Sequence, residues 1–159
     1  MVTQERLKYL FTYDKDAGNF HRKKQGGRCK IGSVAGSINR HGYTMIMIDY
    51  KNYSAHRLSF LYIYGYLPVK EIDHINGNKS DNRIINLREA SRSENQQNVK
   101  KCQKNNESGL LGVGFDKRRN KYIARISVNG VSKFIGSFIS PDDAHSAYIN
   151  EKKALHPFS

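Results

Sequence analysis

Tryptophan is absent from the 159 residues, cysteine occurs twice, proline three times, and acidic residues number 14 against 27 Lys and Arg. Cys29 and Cys102 stand far apart with no CxxC pair. That excludes a zinc ribbon legible in sequence and offers no disulfide framework, so both are read as ordinary thiols. No apolar run nears the roughly 18 residues a bilayer span requires. No segment pairs a strong apolar face with a Lys/Arg-rich one, and residues 1–10 lack a signal-peptide core. The expectation is an intracellular protein, neither secreted nor held at a membrane. The length excludes a large two-lobed enzyme and leaves one domain or two small ones.

What is present begins with the charge, +13 in formal terms. Residues 1–99 hold 16 basic and 9 acidic groups, a net +7, and residues 100–159 hold 11 and 5, a net +6. A polybasic tail would concentrate the excess in one run. Two cationic halves suggest that both touch one extended polyanion. Ten Tyr, seven Phe and a hydrophobic fraction of 38% supply core material.

Periodicity and punctuation place the elements. Thr3 is suited to cap a short helix with Leu7, Leu10 and Phe11 on one face. Residues 13–54 read as strands and turns, with a buried strand at 43–48 and a turn at 49–52. Residues 55–64 read as a helix with Leu58, Leu61 and Tyr62 inward, stopped by Gly65 and Pro68. A short strand at 71–75 runs into a polar loop at 76–83, after which Ile84, Ile85 and Leu87 are expected to be buried. Ser91 and Glu94 fit a capping box, so a helix should begin near Arg92 with Asn95 in its first turn. Residues 100–109 are almost without apolar side chains and read as a linker. Beyond them, 111–116, 121–128 and 132–138 read as three strands, the last two joined by Asn129-Gly130. Ser140, Pro141, Asp142 and Asp143 then open a helix running to about Leu155, with Ala144, Ala147 and Tyr148 on one face. On the middle strand, Tyr122, Ala124, Ile126 and Val128 should face this helix, leaving Lys121, Ile123, Arg125 and Ser127 outward.

The residues that carry chemistry are Asp73 and His74 on the strand at 71–75, Asn86 twelve positions after His74, and Asn95 on the capped helix. Phosphodiester hydrolysis needs a base for water, a cation for developing charge and a clamp on the backbone. Asp73 and Asn95 offer hard oxygen donors, which suit Mg²⁺ or Mn²⁺ better than zinc. His74, on the other side of the pleat, is left to act as base. His21, His41, His145 and His156 have no such setting and are read as surface residues.

Around these residues stand Ala55-His56-Arg57-Leu58, Asp73 to Asn78, Asp81-Asn82-Arg83, Asn86-Leu87-Arg88 and Ser93-Glu94-Asn95. The whole string resembles the HNH endonuclease family over about residues 14–98, in the His-Asn-Asn form of phage and intron-encoded homing endonucleases. The resemblance implies a ββα-metal fold and a phage-encoded protein acting in a bacterial host. It makes His74 the general base, Asp73 and Asn95 the metal ligands, and Asn86 the residue that ties the loop and orients the histidine. Asn95 stands where many relatives carry a His, and the zinc-binding cysteines of other branches are absent. Arg57, Arg83 and Arg88 are candidate DNA contacts, with His56 and Arg57 read either as packing or as phosphate contacts.

Past the linker, Leu111 to Phe115, Lys121 to Ile126, Ile135 to Phe138 and Ala144 to Tyr148 resemble the plant ethylene-response-factor (Apetala-two) DNA-binding domain, which also occurs behind HNH nucleases. The likeness implies a three-stranded sheet that enters the major groove, with Arg118, Arg119, Lys121, Arg125 and Lys133 as candidate contacts. Leu111, Gly114 and Asp116 replace arginines of the plant domain, so its base specificity does not carry over.

The sequence therefore leads to an α+β chain in three parts. Residues 1–99 form a nuclease domain of the ββα-metal type with its core motif at 55–98, 100–109 a linker, and 110–159 an antiparallel three-stranded sheet packed on one helix. The expected activity is metal-dependent hydrolysis of double-stranded DNA by a monomeric homing-type nickase. The alternative is a non-catalytic, sequence-specific DNA-binding regulator.

Overall fold

The computed structural model describes every residue except 26, 100, 101, 104 and 157–159. Three positions of the expected linker thus lie outside the described residues. The chain is mixed α+β, with small antiparallel sheets, and divides into two compact units, Met1–Ala90 and Ser91–Ser159.

The first unit opens on helix α1 (Gln4–Leu10), where the Thr3 hydroxyl accepts the Arg6 backbone N–H. Phe11 leaves the helix and begins strand β1 (Phe11–Asp14), because its ring is needed in the core as a strand residue. β1 pairs antiparallel with β2 (Asn19–Arg22) through a turn containing Gly18. A Cβ at Gly18 would lie 2.4 Å from the Arg83 backbone nitrogen, and its φ is +72°. Only glycine lets this turn back onto the loop that follows the site strand.

A second sheet orders β3 (Ser37–Ile38), β4 (Thr44–Ile48) and β5 (Lys51–Ser54). The expected turn at 49–52 is only two residues long. Asp49 and Tyr50 both adopt positive φ, and Lys51 already pairs with Ile48. Helix α2 (Ala55–Tyr64) follows and stops at Gly65 in the left-handed region. Its Leu58 and Leu61 join the main core with Leu7, Phe11, Tyr13, Phe20 and Ile46, while Phe60 on its other flank packs with Ile72 and Leu87. α2 thereby fastens the hairpin of β6 (Glu71–His74) and β7 (Leu87–Ala90) to the rest of the unit.

Two expectations fail along this hairpin. β6 ends at His74, and Ile75 is 41% exposed. Ile85 is 77% exposed rather than buried, because the 3-10 turn Ile84–Asn86 sends Ile84 and Asn86 inward and leaves Ile85 outside.

The second unit begins with helix α3 (Arg92–Gln97), whose capping box joins Ser91 and Glu94 reciprocally. Strands β8 (Val113–Asp116), β9 (Lys121–Val128) and β10 (Val131–Phe138) form a sheet in the order β10-β9-β8. Asn129 and Gly130, both at positive φ, turn β9 into β10. Helix α4 (Pro141–Leu155) is capped by Ser140 and lays Ala144 and Tyr148 on Val113, Ala124 and Ile126. Ile123 departs from the expected alternation, being only 9% exposed on the outward face. His156, read as a surface residue, is buried against the Ser127 carbonyl, 2.9 Å from Nε2. His145 is half-buried, its Nδ1 3.0 Å from the Leu111 carbonyl. Both corrections share a cause, since α4 turns these rings toward the sheet and its entry loop.

Candidate active site

Strand β6 brings Ile72, Asp73 and His74 into three different settings. Ile72 enters the Phe60–Leu87 cluster. Asp73 lies across the ladder from Arg88, and His74 across from Leu87. Asp73 and His74 are each only 4% exposed. A carboxylate so removed from water needs a counter-charge, and Arg88 provides it, with Nε at 2.8 Å and Nη2 at 2.7 Å from Oδ2.

His74 is held among rings and amides. Its Nε2 lies 3.4 Å from Oδ1 of Asn82, and the His56 ring stands nearly perpendicular to it with centroids 5.2 Å apart. Tyr43 packs on both histidines, at 5.4 Å from His56 and 6.0 Å from His74, and Lys79 Nζ sits 4.9 Å from the Tyr43 centroid. Asn82 is itself buried, with Nδ2 donating to the Ser80 carbonyl and its own carbonyl accepting from the Tyr13 and Ser59 hydroxyls. Burial pushes the His74 imidazole below its ordinary value of 6.5. His56 is pushed to about 4, first by burial and then by the nearby His74 and Arg57 charges. Both rings are therefore neutral at pH 7, which leaves His74 able to accept a proton.

The loop after β6 is closed by its own polar groups. Asn86 Oδ1 accepts from the Asn76 backbone N–H at 3.0 Å, while its Nδ2 donates to Asn76 Oδ1 and the Asp81 carbonyl. Arg83 forks onto Asp81 at 2.8 and 2.6 Å and holds that carboxyl down to about 2. The Asn86 side chain thus binds loop backbone and loop amides, whereas the amide beside the His74 ring is that of Asn82.

The remaining candidates fall into two groups. Arg57 donates to the carbonyls of Pro68 and Lys70, and Arg83 and Arg88 are committed to Asp81 and Asp73. In the second unit Arg118, Lys121 and Arg125 are exposed and make no ion pair among the described residues. Arg119 lies 3.9 Å from Asp116, and Lys133 is paired with Glu151. A cleft of about 660 Å³ opens on this unit beside Gly114, Phe115, Arg118, Ile123 and Arg125. Asn95 sits on α3, in the second unit.

Among the described residues no three His, Cys, Asp and Glu side chains gather to hold a metal ion. Within the first unit, Asp73 offers a buried carboxylate, a donor of the right chemistry for a hard divalent cation.

Sequence reasoning assigned no role to Asn82, Asn76 or Tyr43. The one signal was density, four Asn within residues 76–86, more than a turn requires.

Among the described residues no helix is long and apolar enough to cross a membrane. No curated protein and no solved structure matches the chain. The family model described as HNH endonuclease does match, over residues 53–97, from strand β5 through helix α3, and it supports an HNH endonuclease domain in this stretch of the chain.

Proposed function

We propose that the chain is a homing-type HNH endonuclease that cuts one strand of double-stranded DNA, with residues 1–99 as the nuclease part and 110–159 as an Apetala-two-like part that selects the site. The observation that carries this reading is His74. It is a neutral, buried imidazole set beside a carboxylate within the matched stretch. Asp73 and Asn95 would hold a Mg²⁺ or Mn²⁺ ion. When bound, such an ion supplies charge stabilisation for the oxyanion that develops on phosphorus and the leaving group.

The protein's own residues do the rest. His74 takes a proton from a water molecule whose oxygen forms the new bond to phosphorus, and the bond to the leaving sugar oxygen breaks. Asn82, His56 and Tyr43 hold the ring, and Asn86 holds the loop that carries Asn82. Lys121, Arg125 and Arg118 supply exposed cations that make no ion pair among the described residues, as a phosphate backbone requires.

One copy of Asp73, His74 and Asn95 supports a monomer that nicks first. Supercoiled plasmid incubated with Mg²⁺ should pass through an open-circle form, and end-labelled duplex should be cut on one strand. Direct conversion to linear product would replace the nickase by a paired enzyme. Tight DNA binding with no cleavage would favour a non-catalytic, sequence-specific regulator.

A further inference from the structure

We infer that Lys79 is a catalytic residue, its ammonium donating to a non-bridging oxygen of the phosphate that is cut. The inference rests on the reading of His74 as the general base of a DNA nuclease.

Lys79 lies in the loop after β6 and is exposed. A lysine in that setting ordinarily samples many rotamers, and fixing one costs side-chain entropy. Here three successive residues of the turn before β4 hold it. The His41 carbonyl accepts from Nζ at 3.3 Å, a Cβ placed on Gly42 would meet the lysine stem at 3.8 Å, and Nζ stands 4.9 Å from the Tyr43 ring centroid. Tyr43 is also the ring that packs on His74 and His56. The turn thus directs this ammonium to the ring that flanks the base.

The charge of Lys79 differs in its engagement from those around it. Arg83 is bound to Asp81, Arg88 to Asp73, and Arg57 to two carbonyls. Lys79 forms no ion pair among the described residues, its polar partners being a neutral carbonyl and a ring face. Burial is the first cause that holds the His74 imidazole below 6.5, and the Lys79 charge is a lesser one. A cation near a base makes it a weaker proton acceptor, a drawback unless the cation meets negative charge in the transition state.

The reaction identifies that negative charge. A water within reach of His74 lies about 3 Å from the ring, and the phosphorus it attacks about 3–3.5 Å beyond. Charge grows on the non-bridging oxygens of that phosphate as attack proceeds. A compact ammonium with three donors on a flexible stem is suited to meet it, and Lys79 keeps its proton throughout.

The test is single-turnover cleavage of supercoiled plasmid by saturating full-length protein with Mg²⁺. Lys79→Met keeps a stem against Gly42 and Tyr43 but removes the charge, and should cut roughly 10–100-fold more slowly, the loss expected for one hydrogen bond to a charged group. Lys79→Arg should restore most of the rate. Urea unfolding of both variants should match wild type, since only an exposed group is changed. A Lys79→Met rate equal to wild type would overturn the inference, and with a drop of about 0.9 in the salt slope of DNA binding it would make Lys79 a contact to a neighbouring phosphate. Slow cleavage with a lowered urea midpoint, or Lys79→Arg as slow as Lys79→Met, would reduce the lysine to a tie between loop and turn. The reading of His74 fails separately. No cleavage by wild type, or His74→Ala cutting at more than about a hundredth of the wild-type rate, would remove the base and this inference with it.

Discussion

The two units differ in where their candidate functional side chains lie. In Met1–Ala90 the chemistry-bearing side chains are buried, with Asp73, His74, Asn82 and Asn86 each at most 6% exposed. The arginines nearest to them are bound to carbonyls or carboxylates of the same unit. In Ser91–Ser159 the helix-facing side of the sheet is packed, while Arg118, Lys121 and Arg125 extend into solvent without ion pairs among the described residues. Buried polar groups cost free energy unless partnered, so a chain retains them where geometry matters to chemistry. Exposed cations cost almost nothing and act at a distance, which suits recognition of a polyanion. The first unit therefore adds buried groups suited to positioning to an exposed cationic surface of its own, Lys15, Lys30, Arg40 and Lys51 among it, whereas Arg118, Lys121 and Arg125 of the second are suited to attracting a polyanion.

The largest effect that would test this division is on the chemical step. His74→Ala should slow cleavage by roughly 10²–10⁴-fold, the usual contribution of a general base, while DNA affinity stays close to wild type. Single-turnover cleavage beside a filter-binding titration separates the two. A variant that cuts at more than about a hundredth of the wild-type rate would take the base role away from His74.

Next comes pH, acting through His56. Its folded-state value of about 4 lies below the ordinary 6.5. The unfolded chain therefore binds the proton first. The stability from keeping this ring neutral is complete above pH 6.5 and is lost as pH falls toward 4. The loss amounts to roughly 2–3 kcal/mol, with His74 adding in the same direction. His56→Phe keeps a ring against His74 and Tyr43 but does not titrate. Urea unfolding at pH 7 and pH 4.5 should show a shallower acid loss in that variant, and equal losses would mean that the ring titrates freely in the folded state.

A smaller effect compares two asparagines that do the same local work in different units. Asn86 donates to the Asp81 carbonyl and accepts from the Asn76 N–H, and half-buried Asn106 donates to the carbonyls of Leu110 and Val113. Alanine at either position strands backbone groups and should cost about 1–3 kcal/mol in thermal or urea unfolding. Only Asn86→Ala should also lower the rate on saturating DNA, because only that loop reaches the His74 ring through Asn82. A matching rate loss in Asn106→Ala would mean that the rate follows the general loss of stability and not the hold on the His74 ring.

What could be read ahead of the structure was whatever neighbouring residues decide among themselves. The Ser91–Glu94 capping box, the Ser140 cap, the Asn129–Gly130 turn and the extent of α2 follow from contacts within a few positions. Asp73 and His74 were legible as a pair, but their partners were not. Arg88 reaches Asp73 across a ladder 15 positions away, and His56 reaches His74 from a helix 18 positions earlier. Ile84 and Ile85 are alike in type, and only the 3-10 turn decides which is buried. The burial of His156 depends on where α4 ends over the sheet.

The smallest effect is also the most direct test of the division between the units. A cation that neutralises a phosphate releases a counterion, so each such contact contributes about 0.9 to the slope of log affinity against log salt concentration. Lys121 and Arg125 are exposed and make no ion pair among the described residues, so alanine at either should lower that slope by about 0.9. Arg83 must first leave a two-pronged bond to Asp81, and Arg57 must leave the carbonyls of Pro68 and Lys70. Giving up those partners offsets most of what a phosphate would return, so Arg83→Gln and Arg57→Gln should change the slope by much less than one contact. Fluorescence anisotropy on a fixed duplex, with Ca²⁺ in place of Mg²⁺ and salt varied across each variant, reads these slopes. If Arg83→Gln or Arg57→Gln removed a full contact while Lys121→Ala and Arg125→Ala removed none, the first unit would be the one that grips the backbone.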